Sequence, residues 1–390
     1  MKLANTKRIN EKIMQIESIR QALLMLNGTV TNQIASSYII PESLEAIKAD
    51  AVKLRENMDK NNGKGYSVEQ ITMLLIVEAV AAQLMPGNPK IVDMYMNLIA
   101  PESKVFDINE FKNNPYIKNI AFHNQQLGDY DLCTQNMAPY ELMIYNIPQS
   151  NTPFYISIPR IGCFSKEFSY PSIRQTSIKS TWMSVTPNEV YTVQGAVDNA
   201  KGKVLTLGCG MGYFAYMASL KEDVESITIV ELEQDVIDLF EKHILPQFEN
   251  KEKITVVKAD AIEFMKNISD GEYDYCFADI WIGIEDMDVY FSVKEVSRHM
   301  RKTKIDYWIE ESFASYLLSY IWMEVLKAFA KNNHIELPIN EANLPEEELR
   351  KVNYIHRLMK NVEINKPEDM DYYFNPKNII KLINKSKLTF

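Results

Sequence analysis

The chain has 390 residues, and its 42 lysines and arginines against 52 aspartates and glutamates give a formal net charge of −10 at pH 7. Proteins that bind nucleic acid usually carry a basic face, and this balance predicts none. The four cysteines match neither a disulfide framework nor a metal-binding spacing, so we expect no metal and buried thiols in a reducing cytoplasm. They are Cys133, Cys163, Cys209 and Cys276.

No membrane or secretion signal is recognisable in the sequence. The first residues, MKLANTKRINEK, lead into no apolar segment of the kind that a signal peptide needs. The longest apolar window, 313–330, contains Glu324 and Lys327 and falls short of the ~20 uninterrupted apolar residues of a membrane span. We therefore expect a cytoplasmic protein with no membrane partner.

Residues 1–100 are predicted to form a helical domain, because apolar residues recur at steps of three and four. The stripe on the first helix consists of Ile9, Ile13, Ile16, Ile19, Leu23 and Leu26. A second stripe consists of Leu44, Ile47, Ala51, Leu54 and Met58. A capping box at Ser67 and Gln70 starts a third helix, and Asn88 with Pro89 starts a fourth. Such stripes form either a core or a dimer interface, so a homodimer remains open.

Residues 101–185 lose the helical period and gain turn and strand signals, which predicts a small β-rich module. Strands are expected over 140–147 and 154–158. Several aromatic and basic residues of this module are candidates for the wall of a substrate pocket, although such residues more often simply pack on a two-sided sheet. They are Tyr155, Arg160, Phe164, Tyr170, Arg174 and Trp182.

A helix start follows the β-rich module. Thr186 occupies the cap position, Pro187 the first helical position, and Glu189 the third position after the cap. This combination predicts a helix that runs to about Asn199 and ends just before the next strand.

The stretch 203–219, KVLTLGCGMGYFAYMAS, indicates a strand, a glycine turn and a helix. The apolar run VLTL is typical of a buried parallel strand, and apolar residues resume at helical spacing after the turn. The turn contains Gly208, Gly210 and Gly212. It lets a ligand approach bare backbone and directs the N–H groups of a helix N-terminus towards it, so it suits a nucleotide-like cofactor.

Acidic residues lie at the ends of the next predicted strands. Glu231 follows Gly212 by 19 residues (231 − 212 = 19), close to the spacing of about 20 at which an acid meets the ribose of a bound nucleoside. The third strand ends near Asp260 and Ala261, and the fourth ends at Asp279. Open α/β sheets bind ligands at the carboxyl ends of their strands, so these residues are expected at one edge of the sheet.

Tyr213 stands where a dinucleotide-binding turn would carry another glycine, which argues against NAD and favours S-adenosylmethionine, a cofactor without a pyrophosphate. The segments 224–248, 253–267 and 273–279 resemble the class I S-adenosylmethionine-dependent methyltransferase superfamily, and within it most closely the spermidine-synthase branch. This resemblance covers about Thr186 to Val296.

The resemblance implies a fold class and a set of cofactor contacts. The fold is an α/β, Rossmann-like doubly wound sheet over 186–312, with the helical domain and the β-rich module before it and a C-terminal helical extension over 313–390. The glycine turn would line the cofactor, Glu231 would hold the ribose, Asp260 the adenine amine, and Asp279 would lie beside the reacting centre. The predicted cofactor-binding residues are Gly208, Gly210, Gly212, Glu231, Asp260, Ala261 and Asp279.

Three positions depart from the spermidine-synthase pattern. That branch carries acids that pair with cationic amines at the positions where this chain has Met211, Ile282 and Gln194. A buried ammonium that lacks such a partner is strongly destabilised. The departures therefore disfavour a polyamine acceptor. The two antiparallel strands that complete the superfamily's sheet are also not recognisable, and the C-terminal helices are one replacement for them.

The sequence thus predicts an enzyme, an S-adenosylmethionine-dependent methyltransferase that acts on an unidentified small molecule. Methyl transfer is an in-line displacement, in which Asp279 would orient the nucleophile or accept its proton as the catalytic residue. Glu189, Gln194 and Trp281 are the candidate substrate contacts, because their segments border the same site. Two alternatives stay open: an aminopropyltransferase that uses decarboxylated S-adenosylmethionine, and a non-catalytic protein that binds a nucleoside cofactor.

Overall fold

The structure is a computed structural model that describes residues 1–36, 43–60, 65–150, 152–337 and 344–390. In the described part of the first hundred residues there are a two-residue strand and four α-helices, and the helices lie where the sequence predicts them. Their bounds are β1 Lys2–Leu3, α1 Lys7–Ser36, α2 Leu44–Lys60, α3 Val68–Leu84 and α4 Pro89–Ile99. The predicted capping box starts α3, because Ser67 Oγ accepts the N–H of Gln70 and Gln70 Oε1 accepts the N–H of Ser67.

The next segment contains two small sheets, in the strand orders β2–β6–β5 and β3–β4–β7–β8. Every neighbouring pair is antiparallel except β2 and β6. The strands are β2 Lys104–Phe106, β3 Gln125–Leu127, β4 Tyr130–Met137, β5 Met143–Gln149, β6 Ile158–Phe164, β7 Phe168–Gln175 and β8 Ser180–Ser184. Two short helices lie between β2 and β3, α5 Ile108–Lys112 and α6 Pro115–Asn119.

The strand expected over 154–158 is wrong, because this segment turns. Tyr155 has a φ of +52°, which no strand accommodates. Thr152 Oγ1 accepts the N–H of Ile156 and holds the turn, so the strand begins only at Ile158.

The following segment builds a five-stranded parallel sheet in the order β11–β10–β9–β12–β13. Its strands are β9 Gly202–Leu207, β10 Val224–Glu231, β11 Ile254–Lys258, β12 Tyr275–Ala278 and β13 Lys304–Tyr307. Its helices are α7 Pro187–Asn199, α8 Tyr213–Ser219, α9 Gln234–Leu239, α10 Ala261–Lys266 and α11 Met287–Val296. A π-helical turn, Phe240–Ile244, continues α9.

Both faces of this sheet are covered, as parallel strands require. Val204 of β9 packs in a core with Phe214 of α8, whereas its neighbour Leu205 packs in a second core with Met287 of α11. The chain runs from β9 outwards to β11 and then returns to the other side of β9 for β12 and β13. The direction in which strands are added to the sheet thus reverses at β9. A crevice that can bind a ligand forms at this point, at the carboxyl ends of the strands.

Four helices and one short strand follow the sheet in the described part of the chain. They are α12 Glu310–Asn333, α13 Glu346–Met359, β14 Glu363–Ile364, α14 Pro367–Tyr373 and α15 Pro376–Lys385. Across the described ranges no further strand pairs with β13, and the elements that follow it in the chain are mostly helices. None of the described helices combines the length and apolarity needed to cross a membrane.

The two ends of the chain pack together. Strand β1 pairs with β14, and Ile9 and Ile13 of α1 share a core with Trp322 of α12. The indole N–H of Trp322 also donates to Glu17 at 2.6 Å. The helices at both ends therefore share one hydrophobic core. The division into domains at residues 100, 185 and 312 stays a prediction, and so does the homodimer.

Candidate functional site

The glycine turn after β9 is held by the two strands on either side of it, β10 and β12. Gly208 has a φ of +94°, and a Cβ on it would lie 2.2 Å from the backbone oxygen of Asp279. The N–H of Gly208 donates to the oxygen of Val230 at 2.8 Å, and the N–H of Asp279 donates to that of Leu207 at 3.0 Å. The turn is thus fixed between β10 and β12, with space and backbone angles that only glycine satisfies.

Gly210 differs from Gly208 in what surrounds it. Its φ is +50°, and the one described atom within 4 Å of an added Cβ is the terminal methyl carbon of Met183, at 2.9 Å. That methyl group is the flexible end of a side chain that lines the cleft. A side chain at position 210 would therefore extend towards the cleft and not into the sheet.

Glu231 ends β10 and is buried among backbone donors. Its Oε2 accepts the N–H of Cys209 at 2.9 Å, and its Oε1 accepts those of Leu232 and Glu233 at 2.8 and 2.9 Å. A carboxylate has about four acceptor positions, so one position remains on Oε2. Glu231 therefore ties the glycine turn to the start of α9 and still offers one hydrogen bond to a ligand.

Asp260 and Ala261 lie at the end of β11. Asp260 caps α10, because its Oδ1 accepts the N–H of Glu263 at 2.9 Å. Its other oxygen accepts no hydrogen bond from the described residues and is available to a ligand. Ala261 is the first residue of α10 and is buried beside it.

These residues line one cleft of about 590 Å³ at the carboxyl ends of the parallel strands. Five carboxylates line it, those of Glu189, Glu231, Glu233, Asp260 and Asp279. Three of the chain's four tryptophans line it as well, Trp182, Trp281 and Trp308. No lysine, arginine or histidine is among the described residues that form its wall. A cleft with this composition favours an organic cation, which carboxylates attract and aromatic faces stabilise.

Glu189 and Asp279 form an electrostatically coupled pair in this cleft. Burial raises the pKa of the Glu189 carboxyl to about 7. Burial, together with the negative charge of Glu189, raises the pKa of Asp279 well above its usual range. Neither side chain has a hydrogen-bond partner in the described parts of the chain. Two neighbouring carboxyl groups of this kind share one proton, so the pair can accept and release a proton near neutral pH.

The capping box expected at the start of α7 does not form. The helix begins at Pro187, but the side chain of Thr186 makes no capping hydrogen bond. Proline at the first helical position already has the φ that a helix needs, so the helix starts without the cap. Glu189 is consequently free to lie in the cleft.

The other two candidate substrate residues lie in different places. Gln194 is exposed outside the cleft, and its amide donates to Asp198 at 2.7 Å. Trp281 lines the cleft, and its Nε1–H donates to the backbone oxygen of Trp308 at 3.2 Å. The Nε1–H of Trp308 donates in turn to Thr192 Oγ1 at 2.9 Å. Both indole N–H groups are therefore satisfied within the protein.

Met183 and Trp308 also line the cleft and are absent from the predicted set. Trp308 directly follows β13, the fifth strand of the parallel sheet. The carboxyl end of that strand could therefore have identified Trp308 as a cleft residue from the sequence. Met183 lies on β8, in a different sheet, and nothing in the sequence connects that strand with the glycine turn. Of the six candidates for a pocket wall in the β-rich module, Trp182 is the one that lines the cleft.

A family model described as the spermine/spermidine synthase domain matches residues 189–306, which contain the parallel sheet. No curated protein sequence matches the chain at a significant level. The chain is similar to the solved spermidine synthase of Thermotoga maritima, with a TM-score of 0.27 and 14% identity, over 40% of this chain and 60% of that one.

Two further solved structures are similar over part of their length. A spermidine synthase in complex with the transition-state analogue AdoDATO has a TM-score of 0.26 and 14% identity, over 40% of this chain and 59% of that one. The PRMT1 enzyme–prozyme complex of Trypanosoma brucei with AdoHcy has a TM-score of 0.22 and 16% identity, over 29% of this chain and 36% of that one. The matched part thus spans about 60% of the two spermidine synthases.

The methyltransferase prediction is wrong, because the matching domain model is that of spermine and spermidine synthases. That match favours the aminopropyltransferase alternative. The coarser prediction is supported: the parallel sheet and the domain match over 189–306 together indicate a Rossmann-like α/β fold similar to that of the spermine/spermidine synthase domain.

Proposed function

We propose that this cleft transfers an aminopropyl group from decarboxylated S-adenosylmethionine to an amine. The observation that carries the proposal is the composition of the cleft, with five carboxylates, three tryptophans and no basic side chain among its described residues. Decarboxylated S-adenosylmethionine has a sulfonium and an ammonium but no carboxylate, so its charge is complementary to the cleft. The domain match over 189–306 supports the same chemistry.

S-adenosylmethionine itself suits the cleft less well, because its methionine carboxylate would lie among acidic side chains. Two like charges 4 Å apart repel by about 4 kcal/mol where the effective dielectric constant is about 20. No lysine, arginine or histidine in the described wall of the cleft offsets such a repulsion. The charge of the cleft thus favours the decarboxylated molecule.

The nucleoside part of the donor would bind at the ends of β9, β10 and β11. Glu231 has one acceptor position left for a ribose hydroxyl, and Asp260 has a free carboxylate oxygen for an adenine amine. Gly210 leaves the backbone of the turn accessible from the cleft. These groups hold a nucleoside without any contact to a phosphate.

The transfer is a displacement at the propyl carbon that is bonded to the sulfonium. The neutral nitrogen of the acceptor forms a C–N bond while the C–S bond breaks, and 5′-methylthioadenosine leaves as an uncharged thioether. The positive charge passes to the acceptor nitrogen, which then releases one proton. Asp279 and Glu189 are suited to take this proton, because burial raises the pKa of Glu189 only to about 7, so this carboxyl group is partly ionised near neutral pH.

Calorimetry should show that decarboxylated S-adenosylmethionine binds at least about tenfold more tightly than S-adenosylmethionine, a difference of about 1.4 kcal/mol. The two molecules differ only in the carboxylate, so the comparison measures its repulsion by the cleft. The neutral product 5′-methylthioadenosine serves as the control for nucleoside binding. Equal affinities for the two donors would contradict the charge argument.

Turnover tests the reaction itself. The protein, supplied with decarboxylated S-adenosylmethionine and a set of amines, should release 5′-methylthioadenosine, which chromatography detects. Tight binding of the donor without release of this product with any amine would favour the non-catalytic alternative.

Two glycine substitutions should separate folding from binding. Gly208→Ala places a methyl group against the backbone oxygen of Asp279 and should lower the free energy of unfolding by about 2–4 kcal/mol in urea titrations. Gly210→Ala meets only the end of Met183 and should cost about 1 kcal/mol, yet weaken the binding of 5′-methylthioadenosine. A Gly208→Ala protein as stable as the wild type would show that the turn tolerates side chains.

A further inference from the structure

The cleft divides into two halves where the strand order reverses. The ends of β9, β10 and β11 form one half, with the glycine turn, Glu231 and Asp260. The ends of β12 and β13, strand β8 and the start of α7 form the other half. Under the proposed function the first half takes the nucleoside of the donor, and the second half is left for the amine that accepts the aminopropyl group.

Large apolar side chains dominate the second half. They are Trp182, Met183, Trp281, Ile282 and Trp308. The carboxylates of this half, within the described wall, are those of Glu189 and Asp279, which form the coupled pair. Its other polar side chains are neutral, Thr181, Ser184, Thr186 and Asn188. Negative charge is thus concentrated at the pair, and the remaining wall is uncharged.

The loop after β12 supplies no second acidic group to this wall. Glu285 and Asp286 belong to the loop but do not line the cleft. Asp286 Oδ2 instead accepts the N–H of Ile282 at 2.8 Å. Ile282 is 80% exposed, so nearly its whole side chain is available to a ligand. The end of the acceptor half that this loop forms is therefore apolar.

We infer that the acceptor is a primary monoamine with an apolar alkyl or aryl body, and not a diamine. The reacting nitrogen lies at the Glu189 and Asp279 pair, and the apolar body packs on the indole faces, Met183 and Ile282, which favours its transfer from water. A second ammonium at the far end of the acceptor would lie beside Ile282, where no carboxylate of the described cleft wall pairs with it, so a diamine loses the apolar contact that favours the monoamine and gains no ion pair in return. This inference rests on the proposed aminopropyl transfer.

The experiment compares two amines that differ in one end group, n-pentylamine and 1,5-diaminopentane. Each is supplied with decarboxylated S-adenosylmethionine, and the release of 5′-methylthioadenosine is measured. We expect kcat/KM for the monoamine to exceed that for the diamine by at least about tenfold, the discrimination expected when one charged group lacks a partner.

A matched pair of variants at Ile282 tests whether a carboxylate at the apolar end changes the preferred amine. Ile282→Glu places a carboxylate at the apolar end and should reverse the preference, so that the diamine becomes the better acceptor. Ile282→Gln has the same length without the charge and should leave the monoamine preferred. Because Ile282 is exposed on a loop, neither change should disturb folding, which circular dichroism checks.

A binding measurement distinguishes failure of this inference from failure of the proposed function. Tryptophan fluorescence, with 5′-methylthioadenosine present, reports the affinity for each amine without any chemistry, because three tryptophans line the cleft. Release of product that is equal or faster with the diamine would overturn the monoamine inference and leave aminopropyl transfer intact. If no amine gives product, the proposed function fails, and the acceptor inference is overturned as well unless the monoamine binds more tightly than the diamine.

Discussion

Asp279→Asn should lower the rate of 5′-methylthioadenosine release by about two orders of magnitude, the scale of one lost general base. The side chain keeps its size and its place at the end of β12, but it can no longer be ionised. Affinity for the neutral 5′-methylthioadenosine should change little, because the substitution alters charge and not shape. A folded Asp279→Asn protein with the wild-type rate would remove the residue from the chemistry.

The pH dependence of the rate follows from the same pair. A carboxyl group accepts a proton only when it is ionised, and the pKa of Glu189 is raised to about 7. The wild-type rate should therefore fall as the pH decreases through about 7. In Glu189→Gln the group with this pKa is gone, so the fall near pH 7 should disappear, and any remaining pH dependence belongs to Asp279, whose pKa then loses the contribution of the Glu189 charge and keeps that of burial.

Two controls make this result specific. Gln194→Ala changes the same helix outside the cleft and should alter the rate by less than about twofold, as expected for an exposed side chain. The double variant Glu189→Gln, Asp279→Asn should be only slightly slower than Asp279→Asn alone, because groups that share one proton act as a unit. Additive losses would show that the two carboxylates act separately.

Glu231→Ala should weaken the binding of 5′-methylthioadenosine by about two orders of magnitude. The substitution removes the acceptor for the ribose and also releases the N–H groups of Cys209, Leu232 and Glu233, which Glu231 holds. Hydrogen bonds to a charged group contribute about 1.5–3 kcal/mol each, so the loss of one to the ligand already costs about tenfold. Disorder of the glycine turn adds the remainder.

Glu233→Ala is the matched control. It also removes a carboxylate from the cleft, two residues further on, but its side chain is exposed and fixes no part of the turn. Because 5′-methylthioadenosine is uncharged, the loss of negative charge alone should hardly affect its affinity. Equal losses in the two variants would mean that Glu231 acts through charge and not through its hydrogen bonds.

The strand, glycine turn and helix could be predicted from the sequence because they depend on local properties. An apolar run, three glycines and a return to helical spacing strongly favour this arrangement. The structure has β9, a turn with positive φ at Gly208 and Gly210, and α8 in that order. The place of Glu231 follows from the fixed length of a βαβ unit. The turn at Tyr155 could not be foreseen, because an apolar segment between prolines also fits a strand.

The methyltransferase prediction was wrong because it was based on three single positions. The neutral residues Met211, Ile282 and Gln194, where spermidine synthases carry acids, suggested that the cleft had lost its affinity for amines. In the structure, Glu189 and Glu233 bring carboxylates into the cleft from other positions. The charge of a cleft is a sum over all the side chains that surround it, so substitutions at a few aligned positions do not determine it.

The sequence by itself determined the buried strands of the sheet, its ligand-binding edge and the acids at its strand ends, because hydrophobic periodicity and turn chemistry follow from short stretches of chain. Only the tertiary structure decided which other side chains meet that edge. Strand β8 brings Trp182 and Met183 there from a different sheet, and none of the described lysines, arginines or histidines reaches the cleft wall although the chain has 42 lysines and arginines. Composition gives the number of charged residues, whereas the packing of distant segments determines where they lie.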